Sequence, residues 1–185
     1  MDSIRTVLEL IRGELNTFLQ NADRREEDWV ILSNVVDHEG HAFESAKDKI
    51  VITLANITHE TVTLAGNQPP GQGGAGAVHP PLYIDLFLLF LANFRDRNYL
   101  EGLSLISRTI GFFQQNPVFT RANMPGLDHG IDKLTMELTN LSLSEIRDLM
   151  SMLGMKYLPS VCYKLRMITF AGEPMQVVAP AARRM

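Results

Sequence analysis

The stretch LYIDLFLLFLANF (Leu82–Phe94) decides the fold. Alternation places Leu82, Ile84, Leu86, Leu88, Phe90 and Phe94 on one side and Phe87, Leu89 and Leu91 on the other. Strict period-two spacing after Pro80–Pro81 reads as a β-strand. A strand that is apolar on both faces needs a cover on each face, so it is central in its sheet. One of those covers is open to being a second subunit. Asp85 and Asn93 interrupt the run, which is too short for a membrane span.

Upstream of it, GNQPPGQGGAGAVHPP (Gly66–Pro81) changes character. Its density of glycine and proline cannot pack and reads as a mobile loop. Before the loop, Lys49–Thr58 reads as a strand with Ile50, Ile52 and Leu54 on one face. A turn at His59–Glu60 would lead to a short strand, Thr61–Leu64, the two forming a hairpin. Trp29–Val36 is rich in β-branched and apolar residues and reads as a further strand. The chain opens with a helix. Ile4, Val7, Leu8, Ile11, Leu15, Phe18 and Leu19 form one stripe at i, i+3, i+4, i+7 spacing, with Arg5, Glu9, Arg12, Glu14 and Asn16 off it. The stripe is suited to docking on a sheet.

Downstream, Tyr99–Gln114 reads as a helix with Leu103, Ile106, Ile110 and Phe113 on one face. Ile131–Asn140 is a half-exposed strand, with Leu134, Met136 and Leu138 on the inward side. Ser142 and Glu145 have the S-x-x-E spacing of a capping box and announce a third helix, which Gly154 ends. Ser160–Phe170 is the last strand, with Val161, Tyr163, Leu165 and Met167 facing one way and Lys164 and Arg166 the other. Strands outnumber helices and do not alternate with them, which predicts an α+β fold: a mixed, mainly antiparallel sheet flanked by three helices. The expected division is one domain over residues 1–171 and a C-terminal arm over 172–185.

Composition narrows the function. The 185 residues carry 17 Lys plus Arg against 21 Asp plus Glu, a net charge of −4. A mildly acidic chain without a basic run argues against a phosphate-backbone surface, so no nucleic-acid partner is expected. The N-terminus lacks the continuous apolar run of a signal peptide. Cys162 is the single cysteine, so no intrachain disulfide can form, and its apolar flanks suit a small buried hydrophobe.

The catalytic templates do not fit. The glycine-rich loop lacks the Lys-Ser/Thr ending of a phosphate-binding loop, and a strand follows it instead of a helix. His38, Glu39 and His41 form a compact polar cluster, but zinc needs three or four ligands at set spacing, so a solvated turn is the expected reading. His59–Glu60 and Asp128–His129 are isolated pairs. No catalytic residue, metal or cofactor is assigned. What remains suits assembly: a doubly apolar strand, a long loop and a terminal arm. The interface residues expected on this ground are Phe87, Leu89 and Leu91, with Arg183 and Arg184 on the arm.

Three ordered blocks carry a resemblance. PPLYIDLFLLFLANF (Pro80–Phe94), NYLEGLSLISRTIGFFQQNPVFT (Asn98–Thr120) and IDKLTMELTNLSLSEIRDLMSMLGMKYLPSVCYKLRMITF (Ile131–Phe170), with DKIVITLANI (Asp48–Ile57), resemble the tail-terminator, or tube-cap, family of extracellular contractile injection systems. The resemblance implies a phage tail-terminator-like fold and a structural role. Such a protein forms a hexameric ring on the tube end distal to the baseplate, stops tube growth and couples the last tube and sheath layers. It implies three partners: copies of itself, the inner tube protein and the sheath protein. It also implies cytoplasmic assembly followed by release in an extracellular particle, with no membrane partner. Two other readings stand beside it: a tube-to-baseplate adaptor, and a small hydrolase using His38 to His41.

Overall fold

The computed structural model describes residues 3–24, 26–37, 39–41, 43–60 and 82–170. They form three α-helices and one six-stranded sheet: α1 (Ser3–Asp23), β1 (Val30–Leu32), β2 (Lys49–His59), β3 (Leu82–Asn93), α2 (Tyr99–Gln115), β4 (Val118–Phe119), β5 (Leu134–Thr139), α3 (Leu143–Met152) and β6 (Ser160–Phe170). The strand order is β1-β2-β3-β6-β5-β4. Only the β1–β2 pair is parallel. The fold is α+β with a mixed sheet.

β3 is central, as its two apolar faces require. Leu88 lies between Leu54 of β2 and Tyr163 of β6. Its even-numbered side chains join α1 and α2 in the larger core, where Ile11, Leu15, Leu86, Leu88 and Phe90 are all 0% exposed. Its odd-numbered side chains Leu89 and Leu91 join a smaller core with Val35, Ala46, Val51, Met150 and Cys162. Each fully buried Leu or Phe contributes about 1.5–3 kcal/mol. Both faces are therefore covered from within the chain.

Several expectations are corrected. β1 has three residues, where Trp29–Val36 was expected to be strand. The chain leaves the sheet after Ser33, whose N–H reaches Ile52 O at 3.2 Å. A parallel partner needs a crossover, and this one passes over the second face, where Val35 and Ala46 plug the smaller core. His59 is the last residue of β2, paired with Ile84, so the strand runs one residue further than expected, and β3 is an antiparallel partner of β2. Thr61–Leu64, the Gly66–Pro81 loop and the arm 172–185 lie outside the described residues.

Asn16, expected off the buried stripe, is 6% exposed. Its Oδ1 accepts from the N–H groups of Trp29 (2.8 Å) and Val30 (3.1 Å), and its Nδ2 donates to Asp28 Oδ1 (2.7 Å). One amide thus satisfies the start of β1.

The α2 face is rotated from expectation. Gly102, Leu105, Thr109, Phe112 and Phe113 are buried, whereas Ile110 is 38% exposed. Thr109 can sit inside because its hydroxyl donates to Leu105 O at 2.8 Å. Gly102 lets the helix approach β3, since a Cβ there would lie 2.9 Å from Phe94 Cδ2 and 3.1 Å from Phe94 Cβ. Glycine-to-alanine in a helix ordinarily stabilises by about 1 kcal/mol. Here Gly102→Ala is expected to destabilise by about 1–3 kcal/mol, because overpacking outweighs propensity. Urea unfolding checks the sign.

β6 carries a register shift. Ile84 pairs with Ile168, but Leu86 pairs with Leu165, so β6 spends one extra residue there. Strict alternation from Tyr163 and Leu165 would turn Ile168 to the other face; the bulge brings it into this core, 0% exposed.

Candidate assembly surface

α3 is built as its spacing predicts. Glu145 N–H donates to Ser142 Oγ at 3.3 Å, and Ser142 N–H donates to Glu145 Oε2 at 2.7 Å. The Ser142 hydroxyl, which donates to Glu145 Oε2 at 2.7 Å, and after it the Ser142 N–H hold Glu145 below its ordinary pKa. Gly154 ends the helix region at φ +68°, where a side chain is strained.

α3 covers only part of the second sheet face. Beside it runs a groove of about 350 Å³ lined by Ala55, Asn56, Phe87, Leu141, Leu149, Met152 and Cys162, among others. Leu143 and Met152 are 86% and 64% exposed, and Tyr157 beyond the helix is 68% exposed. Large apolar side chains left in water along one element mark a contact surface.

The expected interface residues divide. Leu89 and Leu91 are 1% and 0% exposed, inside the smaller core with Val35, Ala46 and Met150, so a subunit contact through them would require that cover to lift. The period-two pattern shows that this face is covered, not which element covers it. Phe87 is half-buried and reaches the groove wall. Arg183 and Arg184 lie outside the described residues.

Cys162 is buried on the groove floor, and burial pushes its thiol up to about 11. The folded protein is expected to give no reaction with an aromatic disulfide reagent at pH 8, and one thiol per chain after unfolding in guanidinium. A full equivalent from the folded protein would contradict this placement.

Beyond the groove lies an ion network that sequence reading missed. Asp85 is buried on β3, with Lys164 Nζ 2.7 Å from its Oδ2. Arg166 reaches Glu60 Oε2 through Nε at 2.7 Å and Glu137 Oε1 through Nη1 at 2.9 Å. Burial raises the pKa of Asp85, Lys164 opposes the rise and neighbouring Glu60 adds to it. The Lys164 side chain also stands 5.8 Å from the Phe87 ring centre. The register shift on β6 brings these groups together; the only hint in sequence is one Asp inside an apolar strand.

The other polar pairs make turns. Asp37 Oδ1 accepts from the backbone of Glu39 and His41, which lowers its pKa, and the His41 backbone bond is the largest cause. His38 is outside the described residues. Asp128 Oδ1 closes a turn by accepting from Gly130 N–H, and His129 meets Arg121. Among the described residues, no three His, Cys, Asp or Glu side chains cluster as a metal site would require.

Residues 6–184 match the family model described as the Pvc16 N-terminal domain. The chain belongs to that family. Among curated proteins none matches it by sequence. Two solved structures are similar to this Pvc16 N-terminal domain. One is the sheath/tube terminator of the extracellular contractile injection system PVC in its extended state, at TM-score 0.57 and 14% identity, covering 100% of this chain and 65% of that one. The other is the tube-terminating cap of the anti-feeding prophage, at TM-score 0.49 and 10% identity, covering 95% and 59%. The chain thus spans less than two thirds of either protein. The PVC terminator match establishes the shared fold of the Pvc16 N-terminal domain, and both neighbours are named as parts of a tube or sheath assembly.

Proposed function

We propose that this chain caps the inner tube of a phage-tail-like contractile injection system and couples it to the last sheath layer. The observation that carries the reading is the family match over residues 6–184, on a fold shared across the whole chain with a sheath/tube terminator. Its partners are further copies of itself in a homohexameric ring, the tube protein and the sheath protein. Cyclic symmetry closes head-to-tail contacts into such a ring. The role is structural, with neither cofactor nor catalytic residue assigned. Among the described residues no helix is long and apolar enough to cross a membrane. Assembly takes place in the cytoplasm before the particle is released.

The test is deletion of the gene, followed by electron microscopy of the particles. Tubes of uncontrolled length, or particles without a stable sheath, are expected. Normal particles would reject the cap role. Density for the chain at the baseplate end would make it a tube-to-baseplate adaptor instead.

A further inference from the structure

α3 has one buried line and two unlike flanks. Met150, with Ile146 beside it, packs into the smaller core. At 3.6 residues per turn, Glu145, Asp148 and Met152 fall on one side of that line, and Leu143 and Arg147 on the other. The chain around the helix is continuous: it arrives from Thr139 of β5 and leaves for Ser160 of β6. Both lie at the end of the sheet opposite Leu82 and Phe170.

A groove runs along each flank, and the two carry opposite charge. The groove toward Phe87 has Glu145 and Asp148 beside its apolar residues, and no lysine or arginine among the described residues that line it. Lys164, beside the Phe87 ring, is held by Asp85. The other groove, of about 360 Å³, is lined by Leu143, Ile146, Arg147, Met155 and Tyr157, among others, with no carboxylate among the described residues that line it. Exposed Lys156 precedes Tyr157 in the chain. Leu143, Met152 and Tyr157 stand mostly in water along these flanks. Tyr, Met and Arg are the residue types enriched in protein interfaces. Arg147 Nη2 lies 2.9 Å from Asp148 Oδ1, but both side chains are exposed, so exchanging this pair for one with another copy costs little.

We infer that the Leu143–Arg147–Tyr157 flank of one copy docks in the Glu145–Asp148–Met152 groove of a second copy of this chain. Each flank supplies what the other lacks: protruding apolar side chains with a cation on one, an apolar floor with carboxylates on the other. The occupant is a second copy because the complementary surface is carried by the same helix. The flanks lie on opposite sides of α3, so one copy can give and receive at once. Such a contact is head-to-tail, and cyclic symmetry closes it into a ring. The inference rests on the cap reading for the ring, and deepens it by naming the surface that joins one subunit to the next.

Light scattering of the full-length chain, and negative-stain imaging of it on purified tube, test the contact with three variants. Leu143→Asp sets an acid against the acidic groove, and Met152→Arg sets a cation against the basic flank. Both positions are exposed, and an Asp in the first turn and an Arg in the last suit the helix dipole, so the fold is kept, which circular dichroism checks. Each variant alone is expected to weaken self-association at least tenfold. Mixed in equal amounts, each keeps the flank that the other has lost, so dimers or larger assemblies are expected to return. Leu100→Asp, on α2 at a position 78% exposed and outside both flanks, is expected to associate like the wild type. Unchanged association in either flank variant, no recovery on mixing, an equal loss with Leu100→Asp, or a wild type that associates neither free nor on the tube would each overturn the inference. Rings on the tube that both flank variants leave intact would keep the cap role and reject the α3 contact. Self-association lost in both flank variants of a chain that does not bind the tube would keep the α3 contact and reject the cap role.

Discussion

Lys164→Met is expected to destabilise the protein by about 3–5 kcal/mol at neutral pH, because it strands a buried carboxylate. Asp85 is 1% exposed, and Lys164 is the cation 2.7 Å from it. For a chain of this size the loss corresponds to a fall in Tm of about 6–20 °C. The variant should also become more sensitive to pH. The pKa of Asp85 is already raised in the folded state, chiefly by burial, with Lys164 opposing. A raised carboxyl binds its proton more tightly folded than unfolded. Its contribution is therefore fully present below the ordinary carboxylate range and is lost as pH rises through the folded value. Removing Lys164 takes away the opposing influence, so the loss extends to higher pH, and acidification should restore part of the stability. The double variant Asp85→Leu with Lys164→Met should return to within about 2 kcal/mol of the parent, since an apolar pair can replace a buried ion pair at little cost. Urea unfolding at several pH values measures all three. A Lys164→Met loss below about 1 kcal/mol at neutral pH would show that water reaches Asp85.

Phe113→Ala is expected to cost about 3–5 kcal/mol. Phe113 is 2% exposed at the centre of an aromatic cluster. Its ring centroid lies 4.9 Å from Tyr163, 5.0 Å from Phe112 and 5.1 Å from Phe90. Deleting the ring leaves a cavity between α2 and the sheet and removes edge-on ring contacts worth about 0.5–1.5 kcal/mol each. The informative control is Ile110→Ala. The simple helical stripe puts Ile110 and Phe113 on one buried face, but Ile110 is 38% exposed. It should cost under about 1 kcal/mol, as a surface substitution does. Equal losses at the two positions would mean that α2 packs through the stripe read from spacing.

That contrast shows where sequence reading holds. The α1 stripe, the central placement of β3 and the α3 cap are local patterns. Each depends on residues a few positions apart, so the spacing of apolar and capping residues determines them. The same is true of the α+β class and of the three blocks that carry the family resemblance. The rotation of α2 depends on Phe94, which packs on Gly102 from a different element. The role of Asn16 depends on Trp29 and Val30 arriving within reach of its side chain.

The candidate surface follows the same division. Phe87, Leu89 and Leu91 are visibly an apolar face, and an apolar face requires a cover. Whether α3 or another subunit supplies it is a matter of where the chain returns, and alternation carries no information on that. The ion network goes further. Asp85, Glu137, Lys164 and Arg166 come from three strands and Glu60 from the residue after β2, and the extra residue in β6 breaks the alternation that would place them. The sequence by itself determined the three helices, the long strands β2, β3, β5 and β6 and the apolar faces of α1 and β3, because those properties repeat with the period of the backbone. Only the tertiary structure decided strand order, the bulges and the covering of β3, because each rests on contacts between residues far apart in the chain.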